Sequence, residues 1–316
     1  MIKLNELIVY GLIILFIMLV ILLPALLLSF LQKGDDLQME DHKNDISVRV
    51  VRGDQTVEDI LLKDYLIGVI ASEMPMTYEL EALKAQAVAA RTYVIDKILH
   101  GEQVSDDVMS QVYSDEKLLR EKWGSDYDKY IEKLEHVISE TNYDLLYYKG
   151  DIISPTYFAM SNGYTEDAGD YWVSSQPYLQ TVASHWDEGA AEFEVLEQFS
   201  INEVEEKLHV EIDTQTELSY ERTKSGRVSA VLIGSERRSG KEVREKLGLR
   251  STDFQIEVKD DHVHIRTQGY GHGVGMSQYG ANEMAKEGHT YKEILQYYYQ
   301  GIDIEPISKD IIESLK

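Results

Sequence analysis

The stretch Leu80–Leu99, LEALKAQAVAARTYVIDKIL, decides how this chain folds. Alanine stands at 82, 85, 87, 89 and 90, and no residue loses less on entering a helix than alanine. A surface this poor in bulk lets other helices approach closely, so the segment is expected to be a central, buried helix. Lys84, Gln86 and Arg91 interrupt it; they are read either as exposed groups or as polar groups held among the packed ones.

Just upstream, Ile60, Leu61, Tyr65, Leu66, Val69 and Ile70 recur at helical spacing. Thr56 with Asp59 makes an acidic version of the capping box, so a helix is predicted from Thr56 onward. Pro75 bars its continuation. The run ends in Ala71-Ser72-Glu73-Met74-Pro75, which leaves a carboxylate at a helix C-terminus. The negative end of the helix dipole disfavours its charged form there. Desolvation by Ile70, Ala71 and Met74 pushes the same way. A carboxyl whose pKa is raised by both effects suits a general acid working near neutrality. The alternative is an exposed glutamate in a turn.

Far downstream, residues 269–281 read GYGHGVGMSQYGA, with five glycines among thirteen positions. The segment is too rich in glycine for a plain helix or strand and too polar for plain core. Flexible backbone carrying hydrogen-bonding groups is what a binding loop needs. It is expected to form the wall opposite Glu73, with His272 as a hydrogen-bond donor in preference to a base or a metal ligand, and Gln278 and Tyr279 as flat contacts for sugar rings. His262 and His264 stand two apart, which alone is a weak metal signal. Glycoside hydrolysis by water normally takes two carboxylates. The candidates for a second are Glu166 and Asp170, beside the polar turn at 161–166 (SNGYTE). One carboxylate suffices if the substrate supplies its own hydroxyl as nucleophile.

The rest of the chain reads as an α+β domain of two lobes. Residues 46–52 alternate as a strand, 127–141 as an amphipathic helix, and 145–153 as a hairpin. From 190 to 258 the character changes to a self-contained α/β insert. It has a helix at Ile201–Leu208, strands at Leu218–Arg222 and Val228–Ile233 about Gly226, and a helix at 241–247. An aromatic helix at 291–301 closes the chain. The expected layout is a tail and anchor at 1–31, a polar stalk at 32–45 and a catalytic lobe with Glu73 at 46–189. The insert follows at 190–258, and 259–316 returns to the catalytic lobe.

Residues 8–31 carry no charge over about 24 positions, enough to cross a bilayer as a single helix. A signal peptide would have a shorter apolar region, so an uncleaved anchor is expected. A short tail followed by a large domain suggests N-in, with the domain outside. The net charge is -25, which argues against a nucleic-acid partner. The chain has no cysteine, which excludes thiol catalysis and cysteine-ligated zinc.

Four runs carry a family likeness: IGVIASEMPMTYELEALKAQAVAARTYV, SNGYTEDAGDYW, SGRVSAVLIGSERRSGKEVREKLGLRST and GYGHGVGMSQYGANEMAKEGHTYKEILQYYYQG. They strongly resemble the stage II sporulation protein D family of spore-forming Gram-positive bacteria, from about Val57 to Gly301. The resemblance implies a lytic transglycosylase that cleaves the MurNAc–GlcNAc bond of peptidoglycan without water. Such an enzyme leaves 1,6-anhydro-MurNAc ends and prefers glycan stripped of stem peptides. It places the catalytic glutamate on Glu73. Two blocks become glycan-binding walls, with contacts expected from Ser161, Asn162, Tyr164, Thr165, Tyr270, His272, Ser277, Gln278 and Tyr279. It also implies work in engulfment at the mother-cell membrane, with the amidase stage II sporulation protein P and the membrane protein stage II sporulation protein M as partners. Some relatives carry a cysteine-bound zinc after the alanine-rich helix. This chain has Ser105 and Ser110 there, so no metal or other cofactor is expected. The competing readings are a non-catalytic glycan-binding scaffold for a partner amidase and a plain hydrolase.

Overall fold

The computed structural model describes residues 46–106, 111–172 and 174–315. The apolar run at 8–31 and the stalk at 32–45 lie outside them. Among the described residues no helix is long and apolar enough to cross a membrane. Residues Val48–Ile307 form one compact body. In the carboxy-terminal segment, the Ser308 hydroxyl accepts from the Ile311 amide and opens a short helix, Lys309–Ser314.

The architecture is mixed α/β. Strand β1 (Ser47–Val51) lies between β2 (Val57–Leu61) and the parallel β3 (Val104–Ser105). The helix expected from Thr56 begins only at Leu62, as α1 (Leu62–Glu73). The Thr56 amide and hydroxyl are both taken by Asp54 Oδ1, at 3.0 and 2.6 Å. That closes a turn instead of capping a helix, and the next five residues join the sheet edge as β2.

The alanine-rich segment is helix α2 (Leu80–Leu99). It runs through the middle of its lobe, against α1, α4 (Tyr127–Glu140), β4 (Asp144–Tyr148) and two later helices; α3 (Glu116–Trp123) packs on α1 and α4. Leu83, Val88, Val94 and Ile95 are fully buried, each contributing roughly 1.5–3 kcal/mol. Two of its three polar interruptions are also fully buried. Arg91 donates to the Asp144 carbonyl and Thr141 Oγ1, tying α2 to the end of α4. Gln86 faces the candidate site. Lys84 pairs with Glu81 near the surface.

β4 continues into β5 (Asp151–Ile152) as the expected hairpin. Strand β6 (Tyr157–Phe158) and the short helix α5 (Ala168–Tyr171) follow. The insert then builds one sheet from β7 (Glu194–Ser200), β11 (Phe254–Lys259) and β12 (His262–Gln268), in the order β11-β12-β7. A second is β8 (Leu218–Arg222), β9 (Val228–Ile233) and β10 (Glu236–Ser239), in the order β10-β9-β8. Helices α6 (Ile201–Leu208) and α7 (Gly240–Leu247) share one apolar core with both sheets. The boundary expected at 258/259 falls inside the β11–β12 hairpin. Phe254 and Ile256 enter the same core as Val263 and Ile265, so the sheet runs on to Gln268.

The chain then returns through the glycine-rich loop to β13 (Met276–Ser277), parallel to β6. Helices α8 (Gln278–Lys286) and α9 (Tyr291–Tyr298) pack on α2. Strand β14 (Asp303–Pro306) completes the β4 sheet.

Candidate active site

Glu73 is the last residue of α1. The Met74 amide closes the final turn on the Ile70 carbonyl, and Pro75 sends the chain away. Burial pushes the Glu73 carboxyl above its ordinary range, opposed by hydrogen bonds from the Gln278 side chain and the Val112 amide. No lysine or arginine among the described residues figures among the groups that shift it. The Gln278 bond is long, 3.4 Å from Nε2 to Glu73 Oε2, and the same nitrogen lies 3.4 Å from Gln86 Oε1. Two tyrosines stand behind the carboxylate, Tyr65 and Tyr157. Burial drives both phenols far up, and the Glu73 charge adds to it. Gln111 bridges them, accepting from Tyr65 at 3.1 Å and donating to Tyr157 at 2.9 Å.

The segment carrying Gln111 and Val112 reaches Glu73 because residue 68 is glycine. A Cβ there would lie 2.4 Å from the Tyr113 ring. Tyr113 instead stacks on Tyr65, centroids 5.6 Å apart. Beyond Pro75 stands Tyr78, which neighbours Tyr279 of α8. Burial raises Tyr78 to about 12, with added pressure from Tyr279 and Asp187.

The other expected contacts divide sharply. Gln278 touches Glu73, Tyr279 is partly exposed, and Tyr164 and Tyr270 present their rings to solvent at 49% and 47% exposure. Ser161, Asn162, Thr165 and Ser277 turn inward. Ser161 and Ser277 donate to Asp187 Oδ2 and Oδ1 at 2.7 and 2.6 Å. Asn162 donates to the Ser225 carbonyl and to Asp253. Thr165 bonds the Gln180 carbonyl and the Val182 amide. These four fasten the loops that carry the exposed tyrosines.

His272 is likewise spent within the protein. Its Nδ1 accepts from the Val274 amide at 3.0 Å, and the ring also hydrogen-bonds the Tyr157 backbone. Phe158, Tyr171 and Trp172 surround it at centroid distances of 5.7, 5.8 and 5.3 Å. Burial, with Arg244 and Arg227 nearby, pulls its pKa down to about 3. It is a neutral ring locking the loop. Next to it, Gly273 takes φ +87, and a Cβ there would lie 2.5 Å from the Arg227 guanidinium carbon.

Of the two candidate second carboxylates, Asp170 is exposed on α5. Glu166 is buried. It accepts from Thr223 and Ser225 at 2.7 and 2.9 Å and from the Asp167 amide at 3.1 Å. Arg227, itself fully buried, provides the balancing charge. Glu166 thus ties the polar turn to the β8–β9 hairpin.

The reading from sequence missed Asp187, Gln111, Val112, Tyr65 and Tyr157. None sits in a local pattern that marks chemistry; they meet Glu73 or its neighbours only through the fold. Ser105 ends β3 and Ser110 lies outside the described residues. Neither is a thiolate, so this donor set does not fit a zinc ion.

Fold and site together define a mixed α/β protein with a half-buried glutamate, its pKa raised by burial, where a helical lobe meets the segment that follows a glycine-rich loop. The family model described as "Stage II sporulation protein" matches residues 52–148. Stage II sporulation protein D of Bacillus amyloliquefaciens is 41% identical over 271 residues, covering 82% of this chain and 78% of that protein. The namesake from Bacillus subtilis (strain 168) is 41% identical over 270 residues, covering 82% and 79%. The chain belongs to the stage II sporulation protein D family. The Bacillus subtilis protein named "Amidase enhancer" is 31% identical over 292 residues, covering 75% of this chain and 39% of that protein.

Proposed function

We propose that the chain is a peptidoglycan lytic transglycosylase in which Glu73 serves first as acid and then as base. The protonated carboxyl gives its proton to the oxygen linking C1 of MurNAc to C4 of GlcNAc. The C1–O bond breaks with its electron pair on the departing GlcNAc, leaving an oxocarbenium-like centre at C1. The Glu73 carboxylate then takes the proton of the same MurNAc's C6 hydroxyl as O6 closes on C1. The product is a 1,6-anhydro end, no water is consumed, and Glu73 returns to its protonated form. Tyr164, Tyr270 and Tyr279 supply rings against which sugars pack.

The observation that carries this reading is the contrast among three carboxylates withdrawn wholly or partly from water. Among the described residues Glu73 is met by a long amide contact and one backbone amide, whereas Glu166 and Asp187 each collect several donors. A carboxyl whose pKa is raised by burial and whose proton is not held by many partners is what an acid catalyst needs.

The apolar run at 8–31 supports a single-pass anchor, N-in, with the domain outside the membrane. The relative named for amidase enhancement supports a companion amidase. The resemblance extends that to stage II sporulation proteins P and M during engulfment. The same name favours a second reading, a scaffold that binds glycan for the amidase without cutting it.

Mass spectrometry of peptide-stripped glycan after digestion separates the readings. Anhydro ends from the wild type, lost by at least about 10³-fold in Glu73→Gln, are the expected result. Reducing ends would mean hydrolysis, and binding without products would leave the scaffold.

A further inference from the structure

Asp187 is the most heavily bonded carboxylate near the site and takes no part in the proposed proton transfers. It lies in the 3-10 turn His185–Gly189, fully buried. Three serine hydroxyls from separate segments donate to it: Ser161 at 2.7 Å, Ser184 at 2.6 Å and Ser277 at 2.6 Å. The Ser161 amide adds a fourth bond. Ser184 also meets the Tyr298 hydroxyl of α9 at 2.8 Å. Burial raises the pKa of this carboxyl above the ordinary aspartate range, and these donors oppose it by favouring the charged form.

One of the three hydroxyls leads directly to Glu73. Ser277 is the N-cap of α8, accepting from the Gly280 amide at 3.1 Å while its proton points to Asp187. The next residue, Gln278, is the first of α8 and the one whose amide reaches Glu73. Both contacts of its Nε2 are 3.4 Å long, near the outer limit of a hydrogen bond. Such a contact depends on where the main chain sets the side chain down, and Ser277 sets that place.

We propose that Asp187 is a positioning residue for Glu73. Through Ser277 it fixes where α8 begins, and so how closely the Gln278 amide meets the Glu73 carboxylate. The kinetic consequence rests on reading Glu73 as the acid; the consequence for the Glu73 titration does not.

The sign of that titration separates this role from two others. The Gln278 amide favours ionised Glu73, so loosening it raises the Glu73 pKa. Removing the Asp187 charge through space would lower it instead. A purely structural Asp187 would leave it unmoved. The groups facing Glu73 are Tyr65, Tyr157, Gln86, Gln278 and the Val112 amide. Those that feel the Asp187 charge are Tyr78, Tyr279, Tyr298 and Arg227. Among the described residues the two sets share no titratable group.

The experiment is carbon-13 NMR titration of the glutamate carboxyls in the full-length protein, with the Glu73 signal assigned by its loss in Glu73→Gln. Gln278→Ala sets the reference upward shift. Asp187→Asn and Ser277→Ala should move Glu73 the same way; Ser277→Ala keeps the Asp187 charge and stands in if Asp187→Asn does not fold. A downward or absent shift in the folded variants overturns the proposal, whatever happens to the melting temperature. On peptide-stripped glycan, kcat should fall on the order of tenfold with KM little changed. If the wild type yields no anhydro ends, the lyase reading fails while the titration still decides the role of Asp187.

Discussion

Glu73 and Glu166 are the same side chain in two regions of one body, both drawn out of water and both pushed above the ordinary glutamate range. At the end of α1, the helix terminus, Pro75 and an apolar lobe leave Glu73 with sparse donors. At the junction of the polar turn with the β8–β9 hairpin, Glu166 accepts from two hydroxyls and an amide and faces a buried arginine. Burial raises a carboxyl's pKa in either place. What distinguishes the two is how much of the charged form's hydrogen bonding the protein supplies. A sparsely bonded buried acid can exchange its proton, and a saturated one holds two segments together.

The comparison breaks most visibly at Arg227. This guanidinium is fully buried, with its pKa drawn down to about 10 by burial against the pull of Glu166 and Asp253. It bonds the Tyr164 carbonyl and Ser225 Oγ at 2.9 and 3.1 Å. Arg227→Met leaves Glu166 buried without its counter-charge, which typically costs about 3–5 kcal/mol. Denaturant unfolding measures it. A loss under about 1 kcal/mol would mean that the junction tolerates an uncompensated carboxylate and that saturation does not separate the two glutamates.

His272 gives a smaller effect on the same side of the comparison. Its ring locks the loop, so His272→Ala should lower the melting temperature by roughly 4–8 °C, about what a 2 kcal/mol loss does to a domain of this size. The pH dependence has a definite sign. The folded protein holds the ring neutral down to about 3, whereas the unfolded chain protonates it near the ordinary 6.5. Stability is therefore lost as pH falls below that ordinary value. The alanine variant lacks this term, so its gap to the wild type should narrow between pH 6.5 and 4. A gap that stays constant across this range would show that the ring is not held neutral.

Much of the helical lobe was legible in sequence, because its determinants are local. Alanine spacing marks α2, and Pro75 after a periodic run marks both the end of α1 and the glutamate there. Thr56 misled because its capping pattern competes with an equally local turn on Asp54, and the sheet edge decides between them. The two polar blocks misled differently. SNGYTE and GHGVGMSQYGA are rich in groups able to bond a sugar, but composition does not say which way a side chain points. Ser161, Asn162, Thr165 and Ser277 bond partners between 15 and 91 positions away. Asp187 collects hydroxyls from positions as distant as Ser277. Such networks leave no periodicity, and only the tyrosines of those blocks face outward.

The smallest expected effect runs against the usual direction for a substitution in a packed region. Folding raises the Glu73 pKa above the ordinary 4.5 because burial disfavours the ion. The neutral form therefore suits the fold, and the term is fully favourable below that ordinary value. Stability is lost as pH rises through the raised folded value, where the buried group must ionise or hold its proton at a cost. Glu73→Gln keeps the shape, removes the ionisation and can still accept from Gln278. The variant should melt with the wild type at pH 4 and above it at pH 8, by about 2 °C, which corresponds to somewhat under 1 kcal/mol in a protein of this size. A poised acid that costs the fold stability is the expected signature of a group kept for chemistry. Glu166→Gln also removes a raised ionisation, but it takes an acceptor from the Thr223 and Ser225 hydroxyls and the counter-charge from buried Arg227, so it should melt below the wild type at pH 8. Were the two glutamine variants to shift in the same direction at that pH, Glu73 would be as fully accommodated as Glu166. The contrast that singles it out as the acid would then be gone.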